Sequence, residues 1–155
     1  MVASGGAHWD SRLLDYGASP WIVPLMSLMD RDAVVARRRA NYERLASRLR
    51  GRVSLPFPEL RAGTCPLFFP VMVPDKVRFQ HELEHLGVQS VNLWDAAHPT
   101  CPPALAAEVA PWREHCLELP IHQELNAEQV DRVAAAVIHV LGSAFAADDR
   151  RRRLA

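Results

Sequence analysis

The chain has 155 residues, 49% hydrophobic and 23% charged, a balance that supports a folded core and excludes a disordered chain. Eighteen basic and eighteen acidic residues cancel, so no net field recruits nucleic acid or an anionic membrane surface. The most apolar run, Pro20 to Met29, is too short and too proline-interrupted to span a bilayer.

Met1 to Asp10 has no basic n-region and no apolar h-region, so a secretory signal is not expected there. Cys65, Cys101 and Cys116 are odd in number and widely spaced, and two of them precede proline. That usage suits reduced thiols in a cytoplasmic protein rather than a disulfide framework.

Residues 1–18 read as an irregular lead-in. Ser19-Pro20 offers an N-cap and a first helical residue, and Pro24 restricts the helix to a short or kinked one ending at Met29. Asp30 or Asp32 caps a longer helix that closes at Gly51, with Val35, Tyr42, Leu45 and Leu49 on its buried face. Val53 to Leu55 and Leu67 to Val73 read as strands, and Pro70 places the second at an edge or a bulge. Asp75 caps a helix ending at Leu86-Gly87, with Phe79, Leu83 and Leu86 inward; Val88 to Leu93 reads as a further strand. The proline-broken stretch 95–111 holds a short helix from Pro103 to Val109. The strand from Cys116 to Leu119 is expected to turn Leu117 and Leu119 inward and Cys116 away. Asn126 and Gln129 make a capping box for the last helix, whose stripe is Val130, Val133, Val137 and Leu141 and whose stop is Gly142. Residues 19–142 therefore form one α+β domain, followed by a frayed basic tail over residues 143–155.

Three constellations carry possible chemistry. His81-Glu82-Leu83-Glu84-His85 matches the H-E-x-x-H pattern of zinc peptidases, in which histidines one turn apart share a helix face. Helical geometry places both opposite Phe79 and Leu83, on a solvated face, and only Glu108 suggests itself as a third ligand. His98, Cys101, His115 and Cys116 are four soft donors. Adjacent residues of an extended segment point to opposite sides, however, so His115 and Cys116 do not converge on one metal. The arginine clusters 37–39 and 150–153 lack interleaved aromatic residues and read as solvated surface rather than a nucleic-acid site. No catalytic, cofactor-binding or metal-ligating residue is assigned.

Two segments resemble a known family. Arg37-Arg38-Arg39-Ala40-Asn41-Tyr42-Glu43-Arg44-Leu45 looks like the R-R-x-N-Y-x-x-L helix of DegT/StrS-type sugar aminotransferases, pyridoxal-phosphate enzymes of the aspartate-aminotransferase fold. Leu119-Pro120-Ile121-His122-Gln123-Glu124-Leu125-Asn126-Ala127-Glu128-Gln129-Val130 is similar to their C-terminal L-P-[LI]-H-x-x-L-[TN]-x-[ED]-[EQ]-V signature. The resemblance runs from about Ser19 to Leu141.

It implies the small C-terminal domain of a fold-type-I enzyme, a small antiparallel or mixed sheet packed by helices, without the large domain that carries the cofactor phosphate site and the Schiff-base lysine. No cofactor is then expected on this chain alone, although the family uses pyridoxal phosphate. The expected partner is the missing large domain or a second copy, with no nucleic acid and no membrane. The chain has one lysine, Lys76, against seventeen arginines; its setting reads as a surface lysine at a helix N-terminus and does not transfer to the Schiff-base role. Asn41 and Tyr42 are expected to fix their helix against backbone and core. Pro120 and His122 are expected to shape the strand-to-helix turn, with the His122 side chain hydrogen-bonded locally. Asn92, Trp94 and His98 fall where the family's small domain approaches the sugar nucleotide and are the substrate-side candidates. The competing readings are a non-enzymatic association domain using the apolar surface near Trp21, Ile22, Leu25 and Met29, and, behind it, a peptidase built on His81 and His85.

Overall fold

The computed structural model describes residues 17–93 and 100–152, with side chains followed through residue 143. The chain divides into two compact units, residues 1–33 and 34–155. In the first, the Ser19 carbonyl accepts from Ile22 N at 2.9 Å and starts α1 (Ile22–Ser27). Pro24 falls within the first turn, where its missing N–H removes no helical bond. No residue of α1 is buried.

The helix that carries the first motif, α2 (Arg31–Leu49), begins where Asp30 Oδ1 accepts from Ala33 N at 2.9 Å. Tyr42, Leu45, Ala46 and Leu49 form its buried stripe, and Val35 is half-buried. Gly51, at φ 73°, takes the left-handed turn that ends it.

The second unit is built on a three-stranded antiparallel sheet in the order β1-β3-β2, from β1 (Phe69–Met72), β2 (Val91–Asn92) and β3 (Cys116–Leu119). The register pairs Phe69 with Leu119 and Met72 with Cys116, and on the other side of β3 it pairs Asn92 with Leu117. Pro70 thus lies on an outer strand, as its missing donor requires. The expected strand at 53–55 reduces to a single bridge, Ser54 to Met72.

The helix α3 (Lys76–His85) opens at Asp75, whose Oδ1 accepts from Arg78 N at 3.0 Å. It closes where Gly87 N donates to Glu84 O and Val88 N to Leu83 O, both at 2.9 Å, with Gly87 at φ 76°. Val88 is consumed by that closure, which is why the strand expected from residue 88 begins only at Val91. Leu86 sits at the cap and is half exposed rather than in the core.

Two helices outrun their expected ends. In α4 (Pro103–His115) the chain continues through Pro111, with Trp112 stacked on Phe57 at 5.8 Å between ring centroids. In α5 (Ala127–Arg152) it passes Gly142, which does not adopt the positive φ that would end a helix. The capping box is present: Asn126 N donates to Gln129 Oε1 at 2.8 Å, and Gln129 N to Asn126 Oδ1 at 2.9 Å. Val130, Val133, Val137 and Val140 are buried, and Leu141 is packed against the same core.

Leu45, Leu49, Leu117 and Leu119 are fully excluded from solvent, each contributing about 1.5–3 kcal/mol of burial. Cys116 is also fully buried, which corrects the expected outward face. It lies on the central strand, where α4 contacts both β1 and β3. Its desolvation raises the thiol pKa, with Glu118 adding to the rise and Lys76 opposing it.

Candidate functional site

The two motif-bearing segments, far apart in sequence, meet through one buried amide. Asn41, only 3% exposed on the inner face of α2, donates from Nδ2 to the carbonyls of His122 at 3.0 Å, Leu125 at 3.3 Å and Ile121 at 3.4 Å. Those carbonyls belong to the irregular turn between β3 and α5, whose backbone has no ladder to satisfy it. Arg38 adds a second tie, donating from Nε to Gln123 Oε1 at 2.9 Å and from Nη1 to Pro66 O at 3.3 Å. Arg39 holds the proline-rich loop through Thr64 O at 2.8 Å and Arg61 O at 3.1 Å. Tyr42 packs on Phe69 and donates its hydroxyl to Phe57 O at 2.5 Å. Burial raises its phenol pKa.

One turn further along α2, Arg44 and Arg48 both fork onto Asp131 of α5. Arg44 donates at 2.8 and 2.6 Å and Arg48 at 3.1 and 3.0 Å. The two guanidiniums, Arg44 first, hold the Asp131 carboxyl at a pKa of about 2. Arg38 and Arg39 are thus structural ties.

The turn that Asn41 holds borders a groove of about 640 Å³, lined among others by Glu84, Gln89, His122, Leu125, Gln129 and Arg132. His122 is exposed on it. The expected local bond of its ring is not found among the described residues; its carbonyl, not its side chain, shapes the turn, accepting from Leu125 N at 3.1 Å as well as from Asn41.

Of the substrate-side candidates, Trp94 and His98 lie outside the described residues. Asn92 is half-buried and donates from Nδ2 to Gln80 Oε1 at 2.6 Å, while Gln80 Nε2 donates to Ser90 O at 2.8 Å. Among the described residues, Asn92 Oδ1 and Ser90 Oγ are buried without a hydrogen-bond partner.

Lys76 is corrected from surface to interior. It is 7% exposed, and its Nζ donates to Leu93 O at 3.0 Å, joining α3 to the end of β2. Nothing in a lone sequence signals this, because the acceptor is a backbone carbonyl seventeen residues away. An ammonium committed in this way is not poised to form an imine, and Lys76 does not line the groove. Lys76 therefore does not fit the Schiff-base role.

His81 and His85 are exposed, with ring centroids 4.4 Å apart. Among the described residues no group of three or more His, Cys, Asp or Glu comes together to hold a metal. Glu108 is exposed and does not complete the peptidase set. No helix among the described residues is long and apolar enough to cross a membrane.

No protein-family model matches the chain, and no curated protein matches it. Solved structures do. A DegT/DnrJ/EryC1/StrS aminotransferase from Brucella abortus superposes with a TM-score of 0.61 at 18% identity, covering 76% of this chain and 34% of its own. DesV of S. venezuelae, solved in complex with a ketimine intermediate, gives 0.65 at 22% identity and covers 77% and 35%. The aminotransferase TlmJ from Streptoalloteichus hindustanus gives 0.62 at 24% identity, covering 80% and 35%. The fold is thus shared with part of the sugar aminotransferases, and the chain spans about a third of the length of these structures.

Proposed function

We propose that the chain is the small-domain portion of a pyridoxal-phosphate-dependent aminotransferase acting on a nucleotide-linked keto sugar, and that it is inactive without a separate large domain. The Asn41 clamp is the observation that carries this reading. It closes the helix motif onto the Leu119–Val130 turn, within a fold shared with part of the sugar aminotransferases. On this reading the large domain supplies cofactor site and Schiff-base lysine, and the chain supplies the substrate-facing edge at Asn92, Trp94 and His98.

The test is to incubate the tag-free chain with cofactor, reduce with borohydride and map the peptides. We expect no pyridoxyl group on Lys76 and no amino transfer. Co-expression with the large domain of a sugar aminotransferase is expected to give a complex that binds cofactor. A reducible adduct on Lys76 with turnover by the chain alone overturns the proposal.

A second reading, a stand-alone association domain, is favoured by one observation. Trp21, Ile22, Val23, Leu25, Met26, Leu28 and Met29 are all exposed, Trp21 by 81% and Leu28 by 83%. A run of exposed apolar side chains of this kind is what marks interaction surfaces. On the first reading the large domain covers it; on the second, another copy does. Sedimentation of the chain alone separates them: a defined dimer abolished by Trp21→Glu with Leu25→Glu supports self-association, and a monomer removes it.

A further inference from the structure

We propose that His81 and His85 form a two-imidazole clamp for one divalent transition ion, of the class of Zn²⁺, Ni²⁺ and Cu²⁺. This site is separate from the aminotransferase reading and differs from the peptidase reading in having no third protein ligand among the described residues.

The geometry comes from the helix. Residues four apart on an α-helix stand one above the other on one face. His81 and His85 occupy the exposed side of α3, and their rings meet edge to face with centroids 4.4 Å apart. An ion bound at about 2.1 Å to one nitrogen of each ring, with a near-tetrahedral angle between them, needs centroids about 5 Å apart. The rings now meet edge to face, so both must turn until one nitrogen of each points at a common position about 2.1 Å away, a rotation about the side-chain torsions that leaves the backbone in place.

The buried Phe79 and Leu83 anchor the opposite side of α3, so the two histidines are held on a fixed scaffold. Glu82 and Glu84 add negative charge nearby, and the exposed Arg78, one turn before His81, is the opposing cation.

Imidazole donors select borderline transition ions over Mg²⁺ and Ca²⁺, which prefer oxygen. Because no third ligand joins among the described residues, water fills the remaining positions and the ion exchanges readily. The ion ties the last turn of α3 to the turn before it, just where the helix hands over to Gly87 and β2. Metal binding is therefore expected to raise the thermal stability of the chain.

The test titrates Zn²⁺ alone, then Ni²⁺ alone, into tag-free, chelator-treated protein, followed by calorimetry and thermal unfolding. We expect one saturable equivalent and a rise in Tm. His81→Ala and His85→Ala are each expected to weaken binding by about tenfold or more, because loss of a direct ligand costs at least as much as loss of an outer-shell partner. His139→Ala, an exposed histidine on α5, is the control and leaves binding unchanged. All three positions are exposed, so the variants keep the core intact. The absence of saturable binding, or binding that survives in the His81→Ala/His85→Ala double variant, overturns the proposal.

Discussion

Asn41→Leu tests the clamp between the two motif segments, because leucine keeps the branching of the side chain and removes its hydrogen bonds. The amide is 3% exposed and serves three carbonyls. The His122 carbonyl keeps Leu125 N as a donor, at 3.1 Å. The Ile121 and Leu125 carbonyls, at 3.4 and 3.3 Å from the amide, lose the donor that Asn41 supplies. Each buried acceptor left without a partner costs about 1–3 kcal/mol, and these long contacts belong at the low end, so the sum is about 2–3 kcal/mol. For a chain of this size that lowers Tm by about 4–12 °C. Circular dichroism melts measure the loss, and hydrogen exchange is expected to speed up in residues 119–126 before it does in the sheet. Asn41→Asp is expected to lose more, since a carboxylate offers the three carbonyls no donor and adds a buried charge. An Asn41→Leu protein that melts within about a degree of the parent, with unchanged exchange at 119–126, refutes the clamp.

Three further outcomes rest on the packing. Asp131 has a folded pKa of about 2, below its unfolded value, so its ion pairs stabilise the fold above about pH 4 and that contribution fades as pH falls towards 2. Asp131→Asn is expected to flatten the acid limb of a stability-versus-pH curve over that interval, and an unchanged acid limb counts against the Arg44–Asp131–Arg48 fork. Iodoacetamide is expected to modify exposed Cys65 and half-buried Cys101 in the native chain while sparing Cys116, whose thiol is buried and raised in pKa; mass mapping of Cys116 modified as fast as Cys65 contradicts its burial. An amine-reactive label is expected to reach Lys76 only on unfolding. Lys76→Met is expected to loosen residues 91–93 in hydrogen exchange, because Leu93 O loses that donor.

The features legible in the sequence and those hidden from it divide by range. Asp75, the Asn126–Gln129 pair and Gly87 act within a few residues of themselves, so their roles are readable directly and the structure shows them in place. The stripe Tyr42, Leu45, Leu49 is readable for the same reason, since helical period alone brings those side chains to one side. The antiparallel sheet is foreseeable in kind, but its register is not, because pairing Met72 with Cys116 depends on a crossover of more than forty residues.

Cys116 and Lys76 defeat local reasoning from opposite directions. Strand alternation predicts an outward, solvated Cys116, yet both Cys116 and its neighbour Leu117 are fully buried, and α4, which runs on through Pro111, contacts the same strands. Lysine is ordinarily a surface residue, yet Lys76 is buried, with Nζ donating a hydrogen bond to the distant Leu93 carbonyl. The candidate site obeys the same rule. Asn41 is marked by its motif as a contact to neighbouring backbone, but which backbone it holds requires the chain to return from residue 121. The motif residue Asn41 is therefore one whose partners lie far away in the chain. The chain spans about a third of the length of the structures that share its fold, so the partners of any residue that answers to the remaining two thirds are not legible in this sequence at all.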